Sequence, residues 1–123
     1  MASQTAAGPG APRLVGNASV LVHATPNGVV VDRGLDVRCP AGGPGCTITG
    51  TWSVSDYAGN AHAGARFSQR IRPGTQHAVA FPLTAEAAGL LRSHKQLITD
   101  VTYTARGHRD QAVAQTFTFN LTR

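Results

Sequence analysis

The segment Leu35-Asp-Val-Arg-Cys39-Pro-Ala-Gly-Gly-Pro-Gly-Cys46-Thr-Ile48 constrains this chain more than any other. Leu35, Val37 and Cys39 alternate as a strand would, enter a Gly/Pro-rich loop, and return through Cys46 into a second alternating stretch. The pattern predicts a β-hairpin clamped by a disulfide, and with it a β-domain that folds outside the cytosol. Free thiols or half of a metal site are the alternatives for the same two cysteines. Zinc takes four ligands at tighter spacing, and the chain holds no second cysteine pair, so the disulfide is the favoured reading. The five histidines (23, 62, 77, 94 and 108) are scattered singly, so no metal site and no cofactor is expected.

Alternation continues on both sides of this segment. Ala18–His23 reads as a strand, and Thr25-Pro-Asn27-Gly28 as a turn with Asn-Gly suited to positive φ. Val29–Val31 is a short strand, and Asp32-Arg33-Gly34 turns the chain into the strand of Leu35, Val37 and Cys39. Beyond the cysteines, Ile48, Gly50, Trp52 and Val54 share one face, with Thr47, Thr49, Thr51 and Ser53 on the other. Ala63, Ala65, Phe67 and Ile71 form the next inward set, with Gln69 an exception. His77, Val79, Phe81 and Leu83 alternate next, and Pro82 marks an edge or a strand end.

One helix is expected near residues 84–92, with Thr84 as N-cap and Glu86 in its first turn. Two final strands place Leu97, Val101, Tyr103 and Ala105, then Val113, Phe117, Phe119 and Leu121, inward. Short strands with turns every 8–12 residues are the signature of an all-β sandwich. Residues 1–12 are Ala/Gly/Pro/Ser/Thr-rich and read as a flexible leader or linker, leaving 13–123 as a single domain.

The formal charge of +5 and pI near 10.3 raise the question of nucleic acid. Arginines spread along the chain argue against it, because a nucleic-acid footprint is clustered. The one tight group, Arg66-Phe-Ser-Gln-Arg70-Ile-Arg72, alternates with Phe67 and Ile71 and reads as the wet face of a strand. Neither a secretory signal nor a membrane span is visible in the sequence. A removed signal, or release within a virus particle, would reconcile this with an oxidised cysteine pair.

In order, Leu35-x-Val37-x-Cys39-Pro40, the Gly/Pro loop to Cys46, Ala65-Arg66-Phe67-Ser68, Pro73-Gly74, Leu83-Thr84-x-x-Ala87-x-x-Leu90-Leu91 and Val101-Thr-x-Thr-Ala105-Arg106 follow one another. Taken together, residues 34–122 resemble the Ig-like modules that recur in secreted and surface proteins of high-GC actinobacteria. The resemblance implies an Ig-like antiparallel β-sandwich of about seven to nine strands, and a noncatalytic role in display, spacing or adhesion. That family has no agreed ligand residues, so the resemblance transfers no site.

No catalytic motif is present. The sequence lacks Gly-x-Ser-x-Gly, His-Glu-x-x-His and a phosphate-binding glycine loop, and it carries one Glu and five Asp without a carboxylate dyad. Asp32 and Asp36 read as solvated turn and strand residues. Asn17-Ala-Ser19 and Asn120-Leu-Thr122 match glycosylation sequons, short motifs without meaning in a bacterial or phage protein. Trp52 belongs to the core by its alternation, which leaves Tyr57, beside Gly59-Asn60, as the better exposed aromatic. Contacts are therefore expected from loops: residues 40–45, the Asp56-Tyr57-Asn60 loop, and the N-terminal leader. The expected partner is a protein or a surface glycan, with self-association through the leader as a further mode. The expected setting is extracellular or cell-surface. The alternative is a self-assembling or decorating subunit of a phage virion or surface array.

Overall fold

The structure is a computed structural model that describes residues 3–4, 11–17, 19–108 and 111–123. It is an all-β sandwich of two sheets with one short helix. The strands are β1 (Ser3–Gln4), β2 (Arg13–Gly16), β3 (Leu21–His23), β4 (Val29–Arg38), β5 (Cys46–Ser55), β6 (His62–Ile71), β7 (Gln76–Pro82), β8 (Gln96–Arg106) and β9 (Ala112–Thr122), with α1 (Ala85–Ser93) between β7 and β8.

The larger sheet runs β6-β5-β8-β9, and the smaller runs β2-β4-β7. From β4 onward the chain crosses between the sheets three times, from β4 to β5, from β6 to β7 and from β7 to β8, before it closes on the β8–β9 hairpin. The outer edge of β9 is covered by two short N-terminal pieces. β1 pairs antiparallel at Gln115–Thr116, and β3 pairs parallel at Asn120–Thr122. An edge covered in this way no longer offers a template for another chain. The β3–β9 ladder is the one parallel pairing among the described residues, a departure from the all-antiparallel expectation.

Four local expectations are corrected. The segments flanking the cysteines do not form a hairpin: β4 pairs with β2 and β7, while β5 pairs with β6 and β8, in the opposite sheet. The Gly/Pro loop is thus a crossing between layers about 10 Å apart, a span its six residues readily cover. Alternation alone cannot distinguish a hairpin from a crossing, because both keep the inward residues in phase.

Asp32-Arg33-Gly34 is no turn either. β4 is continuous and absorbs the extra residues as a bulge between Asp32 and Asp36. Asp32 is buried, and its carboxylate accepts from the Ser19 hydroxyl at 2.6 Å, Ser19 N at 3.1 Å and Gly34 N at 3.0 Å. Three donors hold a buried charge that the sequence reading left in solvent.

The strand expected over Ala18–His23 is shorter, starting at Leu21; Ala18 lies outside the described residues. Val20 there is 78% exposed. His77 is also exposed, although it sits in phase with buried Val79 and Phe81 and is paired with buried Val37.

The core follows the period-2 pattern. Ile48, Trp52 and Val54 from β5 meet Val30, Val37, Val79 and Phe81 from the smaller sheet. Gly50 faces inward opposite Tyr103, and a Cβ there would lie 2.7 Å from the Tyr103 Cβ, so only glycine leaves room for the buried phenol. The helix is capped as expected, with Ala87 N donating to Thr84 Oγ1 at 3.1 Å, and it buries Ala87 and Leu91 across one end of the sandwich. Gln69, the apparent exception in β6, turns its amide to the edge of β7 and bonds Ala78 and Ala80.

The leader expected over residues 1–12 falls largely outside the described residues. Of its described part, Ser3–Gln4 pair with the chain's own β9, and Ala11 and Pro12 are buried.

Candidate functional site

Cys39 and Cys46 form a disulfide with Cα atoms 5.8 Å apart, within the range such bonds require. It ties the last residue before the crossing to the first residue of β5, and so pins the two layers together at one end. The Pro73–Gly74 turn is held against it: Gly74 N donates to Cys39 O at 2.9 Å, and Cys39 N to Thr75 O at 2.8 Å. His108 packs over Gly43, leaving a cleft of about 70 Å³ between loop and ring, too small for more than a few waters.

The other predicted contact loop lies at the opposite end, where the β5–β6 hairpin turns. The structure therefore separates the two loops that the sequence reading grouped. Asp56 is buried rather than offered to solvent. Its Oδ1 accepts from Asn60 N at 2.8 Å, and its N donates to Ala61 O at 3.0 Å, which closes the turn. Its Oδ2 lies 3.7 Å from His94 Nε2, while Nδ1 of the same ring donates to Leu90 O at 3.1 Å. Asp56 thereby links the hairpin turn to the end of α1. Asn60 is exposed, and its backbone is held by Asp56.

Tyr57 is 60% exposed and still fixed in place. Its hydroxyl donates to Asn120 Oδ1 and lies 3.3 Å from Gln96 Oε1, so the ring is laid across the ends of β8 and β9. With His94, Lys95, Gln96, Thr122 and Arg123 it lines an open groove of about 620 Å³. Lys95 adopts φ 36°, a left-handed conformation uncommon for a side-chain-bearing residue, as the chain leaves α1 for β8. An exposed aromatic ring anchored through its hydroxyl by two amide oxygens, beside two cationic side chains, can stack on a sugar ring and pair with an acidic or hydroxyl group on it.

Sequence reasoning identified Tyr57 but missed its neighbours. Gln96, Asn120 and Arg123 lie far from Tyr57 in sequence, and only the β5-β8-β9 pairing brings them beside it. The Asn120 sequon was the sole local signal at any of these positions.

Among the described residues no three His, Cys, Asp or Glu side chains gather as a metal site. No described helix is long and apolar enough to cross a membrane. Burial raises the Tyr103 phenol well above its ordinary range, and the charge of Asp32 adds to the shift. That residue lies in the core, bonded to Gln115, and not at the groove. No protein-family model matches the chain, and no curated protein matches it.

Proposed function

We propose that this chain is a noncatalytic Ig-like module that works outside the cytosol by surface contact, with the Tyr57 end of the sandwich meeting a surface glycan. The observation that carries the reading is Tyr57 itself: a large aromatic ring exposed to solvent, yet immobilised by Asn120 and Gln96. A ring fixed in advance loses little side-chain entropy when a sugar stacks on it. The disulfide supports an extracellular or cell-surface setting, since such bonds persist where the environment is oxidising.

Retention on immobilised bacterial surface polysaccharides tests the proposal. Tyr57→Ala should abolish retention of the intact protein while shifting its melting temperature by less than about 2 °C, since the ring covers little of the core. Equal retention by wild type and Tyr57→Ala would sink the role given to this end.

A second reading, a subunit of a phage virion or surface array, is favoured by one feature. β6 ends its sheet with ten residues, a length of edge that a second copy could extend. Sedimentation measured across a hundredfold range of concentration tests it: a monomer throughout would remove it.

A further inference from the structure

The outer face of the β6-β5-β8-β9 sheet carries rows of hydroxyls and three arginines that have no acidic partner among the described residues. Thr47, Thr49 and Thr51 from β5 point outward beside Ser68 of β6 and Thr102 and Thr104 of β8. Arg70 and Arg106 flank Thr47 in one cross-strand row, and Arg66 stands beside Thr51. Strand spacing sets Arg70 and Arg106 about 10 Å apart, and Arg66 about 13 Å from Arg70 along β6. None of the three arginines makes an ion pair with a described residue. The one acidic residue among the outward positions of these four strands is Asp100, towards the other end, and it already accepts from Thr118 at 2.6 Å.

Arg66 and Arg106 are about 16 Å apart by the same spacings, so repulsion among the three exposed charges is largely screened, and they stand as separate cationic points that an extended anionic chain can meet in turn. The surroundings narrow which anion. A stacking reader of nucleobases needs aromatic rings along its face. Here the described outward positions of β5, β6, β8 and β9 hold no Phe, Tyr or Trp. They hold hydroxyls, which suit a partner itself rich in hydroxyl groups.

We infer that this face docks a linear acidic polysaccharide, its carboxylate or sulfate groups pairing with Arg66, Arg70 and Arg106 and its hydroxyls with the threonine rows. The inference deepens the glycan reading above and rests on it, but it uses different residues. Tyr57 lies over the same sheet at the opposite end, on Gln96 and Asn120, so a chain stacked there can run along the strands towards the arginines.

Polygalacturonate, dextran sulfate, neutral dextran and duplex and single-stranded DNA are the probes, titrated against the intact protein at several salt concentrations. Expected is salt-sensitive binding of one or both acidic glycans, with the carboxylated and sulfated arms identifying the preferred anion. The triple variant Arg66→Gln, Arg70→Gln, Arg106→Gln should bind at least about tenfold more weakly and show a shallower salt dependence. A control, Arg33→Gln, Arg38→Gln, Arg72→Gln, removes the same charge from other positions and should bind nearly as wild type. Equal loss in both triple variants would reduce the effect to net charge and overturn the inference, as would DNA binding as tight as the best glycan. Retention of surface polysaccharide that needs Tyr57 but not the arginines would overturn this inference and leave the proposed function standing. Binding of no glycan at all would end both.

Discussion

Trp52 of β5 stacks on Phe81 of β7, ring centroids 5.1 Å apart and planes inclined by 19°, so that the two sheets meet through one aromatic pair. Phe67 of β6 joins the same contact at 5.4 Å from Phe81. Trp52 is 2% exposed between the sheets, which marks it as a packing element and not a contact residue, and its Nε1 has no hydrogen-bond partner among the described residues. Trp52→Ala should cost about 3–5 kcal/mol by urea denaturation, from lost contacts and the cavity left between the sheets. A cost below about 1 kcal/mol would contradict this packing role.

Gln69 mends an edge that neither sheet can mend alone. Its Nε2 donates to Ala78 O at 3.1 Å and its Oε1 accepts from Ala80 N at 3.2 Å, as a neighbouring strand would. Gln69→Ala should destabilise the fold by about 1–2 kcal/mol, with both backbone groups left half-buried. Gln69→Glu should cost more at neutral pH, because a carboxylate accepts from Ala80 N but repels Ala78 O. It should recover part of that loss as the pH falls and the acid regains a proton to donate. Unfolding curves at pH 7 and pH 4 measure both effects.

The Cys39–Cys46 bond closes a short loop that also joins the layers. Thiol titration of denatured, unreduced protein should find no free thiol. Replacing both cysteines by serine should lower stability by about 2 kcal/mol, less than a long loop would give and less again because Pro40 and Pro44 already stiffen the unfolded segment.

Tyr103 makes stability depend on alkaline pH. Burial raises its folded-state pKa well above that of the unfolded chain, where a phenol ionises near about 10. Above that pH the unfolded state binds fewer protons than the folded state, so stability falls as the pH rises further; below it the contribution is fully present. The urea midpoint should therefore drop on going from pH 9 to pH 11, and Tyr103→Phe should flatten the decline. An equal decline in the variant would assign the effect to other groups.

Much of this fold was legible along the chain. The inward sets of β5, β8 and β9, the Thr84 cap, the Pro82 strand end and the cysteine pair all depend on neighbours within a few residues, where period and turn chemistry speak directly. Tyr57 was legible for the same reason, as an aromatic in a Gly-Asn loop with no alternating partners.

Other features belong to the tertiary structure because they depend on which strands become neighbours. Val37 and Ile48 alternate identically whether the cysteine loop is a hairpin or a crossing; only the pairing of β4 with β7 and β5 with β8 decides between them. Asp32 looked like a turn residue until Ser19 was brought to it across the β4 bulge. The gathering of Gln96 and Asn120 under Tyr57, and of Arg66, Arg70 and Arg106 on one face, has the same origin. Local sequence determines which face of a strand is apolar, since side chains alternate on any strand. Which polar residues share a surface is decided by strand order and register, and those follow from burying all the apolar faces at once.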